Sequence, residues 1–138
     1  MKIASISIAA ILLGISLMAI AGPIRIPGIY SNIYYHQEGG DLLGLEIFIF
    51  PSQKYGLETE SNCYSALVQI AEGGAPFAVL VPISVNGTNI EFTIPTGNIY
   101  TGAQFKGTIT SNALVGKWTK GIQDKQTLKL KRGKSYWQ

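Results

Sequence analysis

Residues 104–119 have the sequence QFKGTITSNALVGKWT. Apolar or small residues alternate with polar ones in its first half, where Phe105, Gly107 and Ile109 alternate with Gln104, Lys106 and Thr108. In the second half Leu114, Gly116 and Trp118 alternate with Val115, Lys117 and Thr119. Successive side chains of a β-strand point to opposite faces, so this period of two predicts two strands with one buried and one solvated face. Ser111-Asn112 is suited to a tight turn, and the stretch therefore predicts an antiparallel hairpin.

Similar segments lie on both sides of this hairpin. They are rich in β-branched and aromatic residues and are separated by Gly, Asn and Pro, which predicts strands and turns, whereas no stretch after residue 22 has helical periodicity. Asn86-Gly87 predicts a type I′ hairpin turn. The predicted strands are Gly28–His36, Leu43–Phe50, Cys63–Ala71, Phe77–Val85, Thr88–Ile94, Tyr100–Thr110, Ala113–Thr119 and Gln126–Arg132.

Strands joined by short links favour an antiparallel meander, which must curl to bury its apolar face. Closure also removes the exposed strand edges. The sequence therefore predicts an all-β fold, an eight-stranded antiparallel up-and-down β-barrel, with a two-sheet sandwich as the alternative. A barrel of this size is either filled by side chains or holds one small ligand. The longest link, residues 51–62, is predicted to contain a hairpin extension or a functional loop.

The N-terminal segment has the three parts of a secretory signal peptide. Met1-Lys2 is positive, residues 3–20 carry no charge, and Ala19-Ile20-Ala21 offers small residues to a signal peptidase. We expect cleavage after Ala21, which gives a signal peptide at 1–21 and a single barrel domain at 22–138. The mature protein would be periplasmic or secreted, with no stable membrane span. The alternative is an uncleaved anchor, since the apolar run is nearly long enough to cross a bilayer.

The chain is poor in residues that carry catalysis. It has one cysteine and one histidine, which excludes a disulfide framework and a multi-thiolate zinc site. His36 lies beside Glu38 and Asp41 but without a nucleophile motif, so it is predicted to be an exposed loop residue. Cys63 is predicted to be a buried, inert thiol. The sequence therefore favours a protein that is not an enzyme and needs neither a cofactor nor a metal.

Residues in the first and last predicted strands resemble those of a known family. Gly28-Ile29-Tyr30 opens the first strand and Arg132 closes the last. This resembles the calycin group, which includes the lipocalins, where a Gly-x-Trp in the first strand is often covered by a basic residue from the final strand. The resemblance implies a calycin-like barrel in which Tyr30 and Arg132 form a closing pair.

The inward-facing aromatic residues suggest the first function. Phe92, Phe105 and Trp118 have inward parity and, with Tyr30, are predicted to contact a small apolar or amphipathic ligand inside the barrel. Gly107 and Gly116 either make space for that ligand or let the aromatic rings pack over them. The alternative function is a filled-barrel interaction protein, such as an exported enzyme inhibitor, that acts through its outer face or loops.

Charge is unevenly distributed along the chain. Residues 22–103 contain two basic and seven acidic residues, whereas residues 104–138 contain eight basic and one acidic. The outward parity of four lysines predicts a basic face: Lys106, Lys117, Lys129 and Lys131. Such a face attracts anionic glycans, lipid head groups or an acidic protein, or it is simply solvated. Nucleic acid is not an expected partner of an exported chain.

Glu46 lies within Leu43–Phe50, where the parity has two interpretations. If Leu45, Ile47 and Ile49 face inward, Glu46 and two phenylalanines face outward and need cover from a partner or from the tail at 135–138. If the phenylalanines face inward, Glu46 enters the barrel and needs a partner there. The first arrangement is favoured because burying an unpaired carboxylate is costly.

Overall fold

The computed structural model describes residues 22–52, 63–119 and 126–138, and within these ranges it contains nine β-strands and no helix. The strands are β1 (Gly28–Ser31), β2 (Tyr34–His36), β3 (Asp41–Pro51), β4 (Tyr64–Glu72), β5 (Phe77–Asn86), β6 (Asn89–Thr93), β7 (Gln104–Ile109), β8 (Ala113–Trp118) and β9 (Thr127–Gly133). β1 and β2 both pair with β3 and are two halves of one barrel strand.

The sheet closes on itself. Each strand from β3 to β9 pairs antiparallel with its neighbour in sequence, and β1 pairs with both β3 and β9. Counting β1 and β2 as one, this is a closed eight-stranded up-and-down barrel, as the alternation predicted. Closure gives the backbone groups of the first and last strands a partner, which an open meander does not.

The first strand is interrupted at Asn32 and Ile33, where the sequence predicted a continuous strand. The Asn32 amide donates to the Leu45 carbonyl at 3.0 Å, but the Leu45 amide donates to the Asn32 side-chain Oδ1 at 2.7 Å instead of to a backbone carbonyl. The main chain of Asn32 also passes close to Gly44, where a Cβ would lie 2.6 Å from the Asn32 carbonyl oxygen. A hydrogen bond from the Leu45 amide to the Asn32 side chain, between two strands, therefore replaces one rung of the ladder.

Two further boundaries differ from the prediction. The sixth predicted strand begins at Gln104 rather than Tyr100, because residues 95–103 form a loop closed by hydrogen bonds between Ile94 and Ala103 and between Gly102 and Ile94. The β5–β6 hairpin exists, but Asn86 pairs with Asn89, so Gly87 and Thr88 form its loop. Gly87 has a φ of +59°, a left-handed conformation that glycine adopts without strain.

The interior of the barrel has two different halves. β3, β4 and β5 contribute aliphatic side chains: Leu45, Ile47, Ile49, Val68, Ile70 and Val81. β6, β7 and β8 contribute the aromatic residues Phe92, Phe105 and Trp118. Burial alternates along β5, β6, β7 and β9 with the period that the sequence shows.

The expected cleavage after Ala21 and most of the long link, residues 53–62, lie outside the described residues. A search of the described ranges for a helix of the length and hydropathy that a bilayer requires finds none. The N-terminal signal peptide therefore stays a prediction.

Candidate binding surfaces of the barrel

The three inward-facing aromatic residues predicted to form a pocket lie together. Phe92 and Phe105 are stacked with ring centroids 5.3 Å apart. Trp118 packs against both rings, at 6.1 Å from Phe92 and 6.4 Å from Phe105. Each of the three side chains is almost completely buried. The rings are therefore partners of one another, and a ligand at these residues stays a prediction.

Gly107 and Gly116 provide the room for this aromatic cluster. A Cβ at Gly116 would lie 2.5 Å from Phe105 Cζ and 2.6 Å from the Lys106 carbonyl oxygen. At Gly107 it would lie 2.7 Å from Phe105 Cε1. Of the two roles considered for these glycines, the structure shows the second: the Phe105 ring lies over both of them.

At the end of the barrel opposite Arg132, a small recess remains inside. Leu45, Ile70, Glu72 and Trp118 line it, and it has no room for a molecule the size of water. Sites for drug-sized ligands usually have about 300–1,000 Å³. This recess is therefore smaller than such sites, and the interior ligand of the first hypothesis stays a prediction.

Tyr100 lies at the same end of the barrel. Its hydroxyl donates to Glu72 Oε2 at 3.0 Å, and its ring packs against Phe77 at 5.6 Å. Burial, together with the hydrogen bond to and the negative charge of Glu72, raises the pKa of Tyr100 to about 12. The phenol is therefore a stable donor to that carboxylate at neutral pH.

Tyr30 and Arg132 meet at the other end. The guanidinium carbon lies 5.4 Å from the centroid of the Tyr30 ring. Arg132 also donates to the carbonyl oxygens of Arg25 at 2.6 Å and Pro27 at 2.5 Å, and the Tyr30 hydroxyl donates to Ile26 at 2.9 Å. Burial raises the pKa of Tyr30, an effect that Arg132 opposes. The pair ties the segment before β1 to the end of β9, and no local pattern in the chain indicates these carbonyl partners.

Glu46 faces outward and is nevertheless buried, with 2% of its surface exposed. Ser135 Oγ donates to Glu46 Oε1 at 2.6 Å, and the Tyr136 amide donates to Oε2 at 2.9 Å. Trp137 Nε1 continues this contact by donating to Gln69 Oε1 at 2.7 Å. The favoured interpretation of the sequence is therefore confirmed: Leu45 and Ile47 are inside, and the C-terminal tail covers the carboxylate.

The four predicted lysines lie on the outer face of β6–β9, which we call the basic wall. Lys106 is directly opposite Lys117 in the β7–β8 ladder and forms a 2.8 Å ion pair with Glu91 on β6. Lys129 and Lys131 are on β9. Lys117, Lys129 and Lys131 form no ion pair with any residue in the described ranges.

An open groove runs along the outer face from β5 to β8 and includes two of these lysines. It has about 500 Å³ of space that water-sized molecules can enter. Its lining consists mostly of hydroxyl, amide and charged side chains: Ser84, Asn86, Asn89, Glu91, Lys106, Thr108 and Lys117. Parity predicted the lysines, but the groove depends on cross-strand register and barrel curvature, which no local pattern encodes.

His36 and Cys63 lie far from one another. His36 is in the exposed β2–β3 hairpin, where its Nδ1 accepts a hydrogen bond from the Gly39 amide at 3.1 Å. Cys63 precedes β4 at the opposite end of the barrel and is half-buried rather than buried. The fold therefore does not bring the two residues into one site.

Comparison with protein-family models, curated proteins and solved structures finds no match for this chain. The closed eight-stranded antiparallel barrel is consistent with a calycin-like fold, and the resemblance to the lipocalins stays a prediction. Function is therefore inferred from the geometry of the barrel.

Proposed function

We propose that the protein is an exported, filled-barrel interaction protein that binds an acidic glycan along its basic wall. The observation that carries this proposal is the open groove of about 500 Å³ beside lysines that form no ion pair within the described ranges. The proposal follows the second of the two functions that the sequence suggested, because the described interior favours it.

Interior packing supports binding on the outer face. Phe105 occupies the space that Gly107 and Gly116 leave, and the nearby recess does not admit water. A ligand at the aromatic cluster would have to displace rings that pack against one another. Protein interiors resist such changes, because added volume forces side chains out of their preferred rotamers.

The chemistry of the groove suits a hydroxyl-rich molecule. Ser84, Asn86 and Asn89 offer hydroxyl and amide groups that both donate and accept hydrogen bonds, as sugar hydroxyls do. Thr108 Oγ1 is held 2.8 Å from Asn89 Oδ1, which fixes the position of two of these groups. A polar groove of this kind favours a saccharide over an apolar ligand.

The lysines add a preference for negative charge. Like charges directly opposite one another in a sheet are destabilising, and Lys106 and Lys117 have that relation. Glu91 compensates Lys106 but leaves Lys117 without an ion pair among the described residues. A carboxylate or sulfate bound at Lys117 would remove this repulsion, so the site favours an anionic glycan.

Binding of dextran sulfate, with neutral dextran as the matched polymer, tests this function by titration calorimetry. We expect binding to dextran sulfate alone, with an affinity that falls as salt screens the charges. Lys117→Gln combined with Lys129→Gln should weaken binding about tenfold. Lys134→Gln removes an exposed charge from the tail, outside the groove, and should have little effect.

Two results would contradict the proposal. One is equal weakening by Lys134→Gln and by the double variant, which would indicate nonspecific attraction to net positive charge. The other is a small molecule that remains bound in native mass spectrometry and leaves when Trp118 is replaced by Leu, which would support the interior site.

Export is tested separately by mass spectrometry of the protein recovered outside the cytoplasm. A mass that corresponds to residues 22–138 supports cleavage after Ala21. A mass that includes residues 1–21, in protein that stays with the membrane, would indicate the uncleaved anchor instead.

A further inference from the structure

Four apolar side chains form a continuous row on the outside of the barrel. The β-ladders place Ile29 opposite Phe48, Phe48 opposite Leu67, and Leu67 opposite Leu80. All four have outward parity, because Tyr30, Ile47, Val68 and Val81, their neighbours in sequence, are buried inside. We call this row the apolar strip. It crosses β1, β3, β4 and β5, and at about 4.8 Å per strand it is about 14 Å long.

Much of the apolar strip is exposed. Leu80 has 60% of its surface exposed and Phe48 has 41%. The C-terminal tail covers Glu46 but leaves Phe48 uncovered, and it adds Trp137, itself 49% exposed, beside the strip through its bond to Gln69. Contiguous exposed apolar surface of this kind marks an interaction site on a soluble protein.

The outer face of β3–β5, which we call the uncharged wall, can be covered without burying an unpaired charge. Among the described residues that flank the strip on these three strands, Glu46 is the one that carries a charge, and it is already buried and hydrogen-bonded to Ser135 and Tyr136. The other residues that flank the strip on β3–β5 are Phe50, Ser65, Pro82, Gln69 and Ala78. None of these residues has to lose a hydrated charge when the wall is covered.

We propose that the apolar strip binds a second copy of this chain in a two-fold symmetric dimer. A two-fold axis that lies in the plane of the interface, runs perpendicular to the strip and passes between Phe48 and Leu67 brings Leu80 of each copy onto Ile29 of the other. A surface with apolar groups at both ends and in the middle is self-complementary, which a two-fold interface requires.

Charge favours a second copy on this wall. The chain has a net charge of +3, and its basic wall would repel an identical wall. Pairing through the uncharged wall directs Lys106 and Lys117 of both copies, on β7 and β8, away from the interface. A stable interface buries about 800 Å² per partner, more than four side chains supply, so Phe50, Pro82 and Trp137 take part. We therefore expect a concentration-dependent dimer rather than a permanent one.

A charge exchange tests this arrangement. Leu80→Glu and Ile29→Lys each place two charges in a symmetric homodimer and should weaken it by about tenfold or more. In a mixture of the two variants, the introduced glutamate of one copy lies beside the introduced lysine of the other, while the second contact keeps its wild-type residues, so a heterodimer should form. Ile99→Glu is the control, because Ile99 is also exposed and apolar but lies in the loop at 95–103.

Sedimentation equilibrium from about 1 µM to about 1 mM measures the association. The expected result is a dimer for the wild-type protein and for Ile99→Glu, loss of the dimer in each single strip variant, and recovery in the mixture. A single-chain mass for the wild-type protein at all concentrations would overturn the proposal. So would a dimer that Leu80→Glu leaves unchanged. If a mixture of the two strip variants forms no dimer, the two-fold pairing of Leu80 with Ile29 is overturned.

Discussion

The two sides of the barrel differ in the side chains that they place inside and outside. β3–β5 place aliphatic side chains inside and, apart from the covered Glu46, uncharged residues around the apolar strip outside. β6–β8 place Phe92, Phe105 and Trp118 inside, and the basic wall that they form with β9 carries the lysines outside.

The difference shows how ring volume is accommodated in a small barrel. The aliphatic half is filled mostly by branched side chains on adjacent strands, such as Leu45 opposite Ile70 and Ile47 opposite Val68. The aromatic half instead combines three large rings with Gly107 and Gly116, so that one ring occupies the space of two absent side chains. The residues inside do not determine the residues on the outer face, so the two sides of the barrel can differ on the outside as well.

The largest expected effect is on the aromatic half. Gly116→Ala forces a Cβ to 2.5 Å from Phe105 and 2.6 Å from the Lys106 carbonyl, and it should lower the free energy of unfolding by about 3 kcal/mol. Gly133→Ala is the matched control, since a Cβ there meets no atom within 4 Å. Chemical denaturation compares the two variants, and equal stabilities would contradict tight packing over Gly116.

The second-largest expected effect on stability is at the end of the barrel where Arg132 contacts Tyr30. Arg132→Ala removes two hydrogen bonds to the carbonyls of Arg25 and Pro27 together with the contact over Tyr30. We expect a loss of about 2 kcal/mol and a clear decrease in the melting temperature. Arg132→Lys keeps the charge without the planar fork and should be intermediate. An unchanged melting temperature in Arg132→Ala would mean that the closing pair contributes nothing.

Much of this comparison was predictable from sequence. Alternation placed Phe105 and Trp118 inside and Lys106 and Lys117 outside, and Gly and Pro marked most strand ends, because both signals are local. The interruption at Asn32 was not predictable, since it depends on a side-chain bond to Leu45 on another strand. Tyr100 has the composition of a strand residue, but it packs over the barrel end against Phe77 and Glu72.

The candidate surfaces were less predictable than the fold. The basic face can be predicted from the alternation within single strands. Prediction of the apolar strip requires, in addition, the register that aligns Ile29, Phe48, Leu67 and Leu80 on four strands. Register comes from pairing across the whole sheet, and no segment contains it alone.

A smaller effect is expected at the tail over the uncharged wall. Ser135→Ala leaves Glu46 Oε1 without its 2.6 Å partner and should cost about 1–2 kcal/mol, because an unsatisfied buried acceptor loses hydration without compensation. Ser84→Ala, at an exposed position, is the control. Trp137 fluorescence should shift to longer wavelength in Ser135→Ala only. The same spectrum in both variants would show that the serine does not hold the tail.

The smallest effect is expected at alkaline pH. Because the pKa of Tyr100 is raised to about 12, the folded state holds this proton more tightly than the unfolded chain. That contribution to stability is complete below the ordinary tyrosine pKa of 10.0 and is lost as the pH rises toward 12. Tyr100→Phe should therefore lose less stability than the wild-type protein between these pH values, as measured by urea denaturation. Equal losses would contradict the pKa shift.

The central proposal is that the barrel binds its partner on the outside, along the basic wall. NMR titration of the isotopically labelled protein with short dextran sulfate tests it directly, because every amide reports its own environment. We predict chemical-shift changes at Asn89, Lys106, Thr108 and Lys117, with little change on β3 and β4. Changes concentrated at Phe92, Phe105 and Trp118, without changes at the lysines, would contradict the claim and place the ligand inside the barrel.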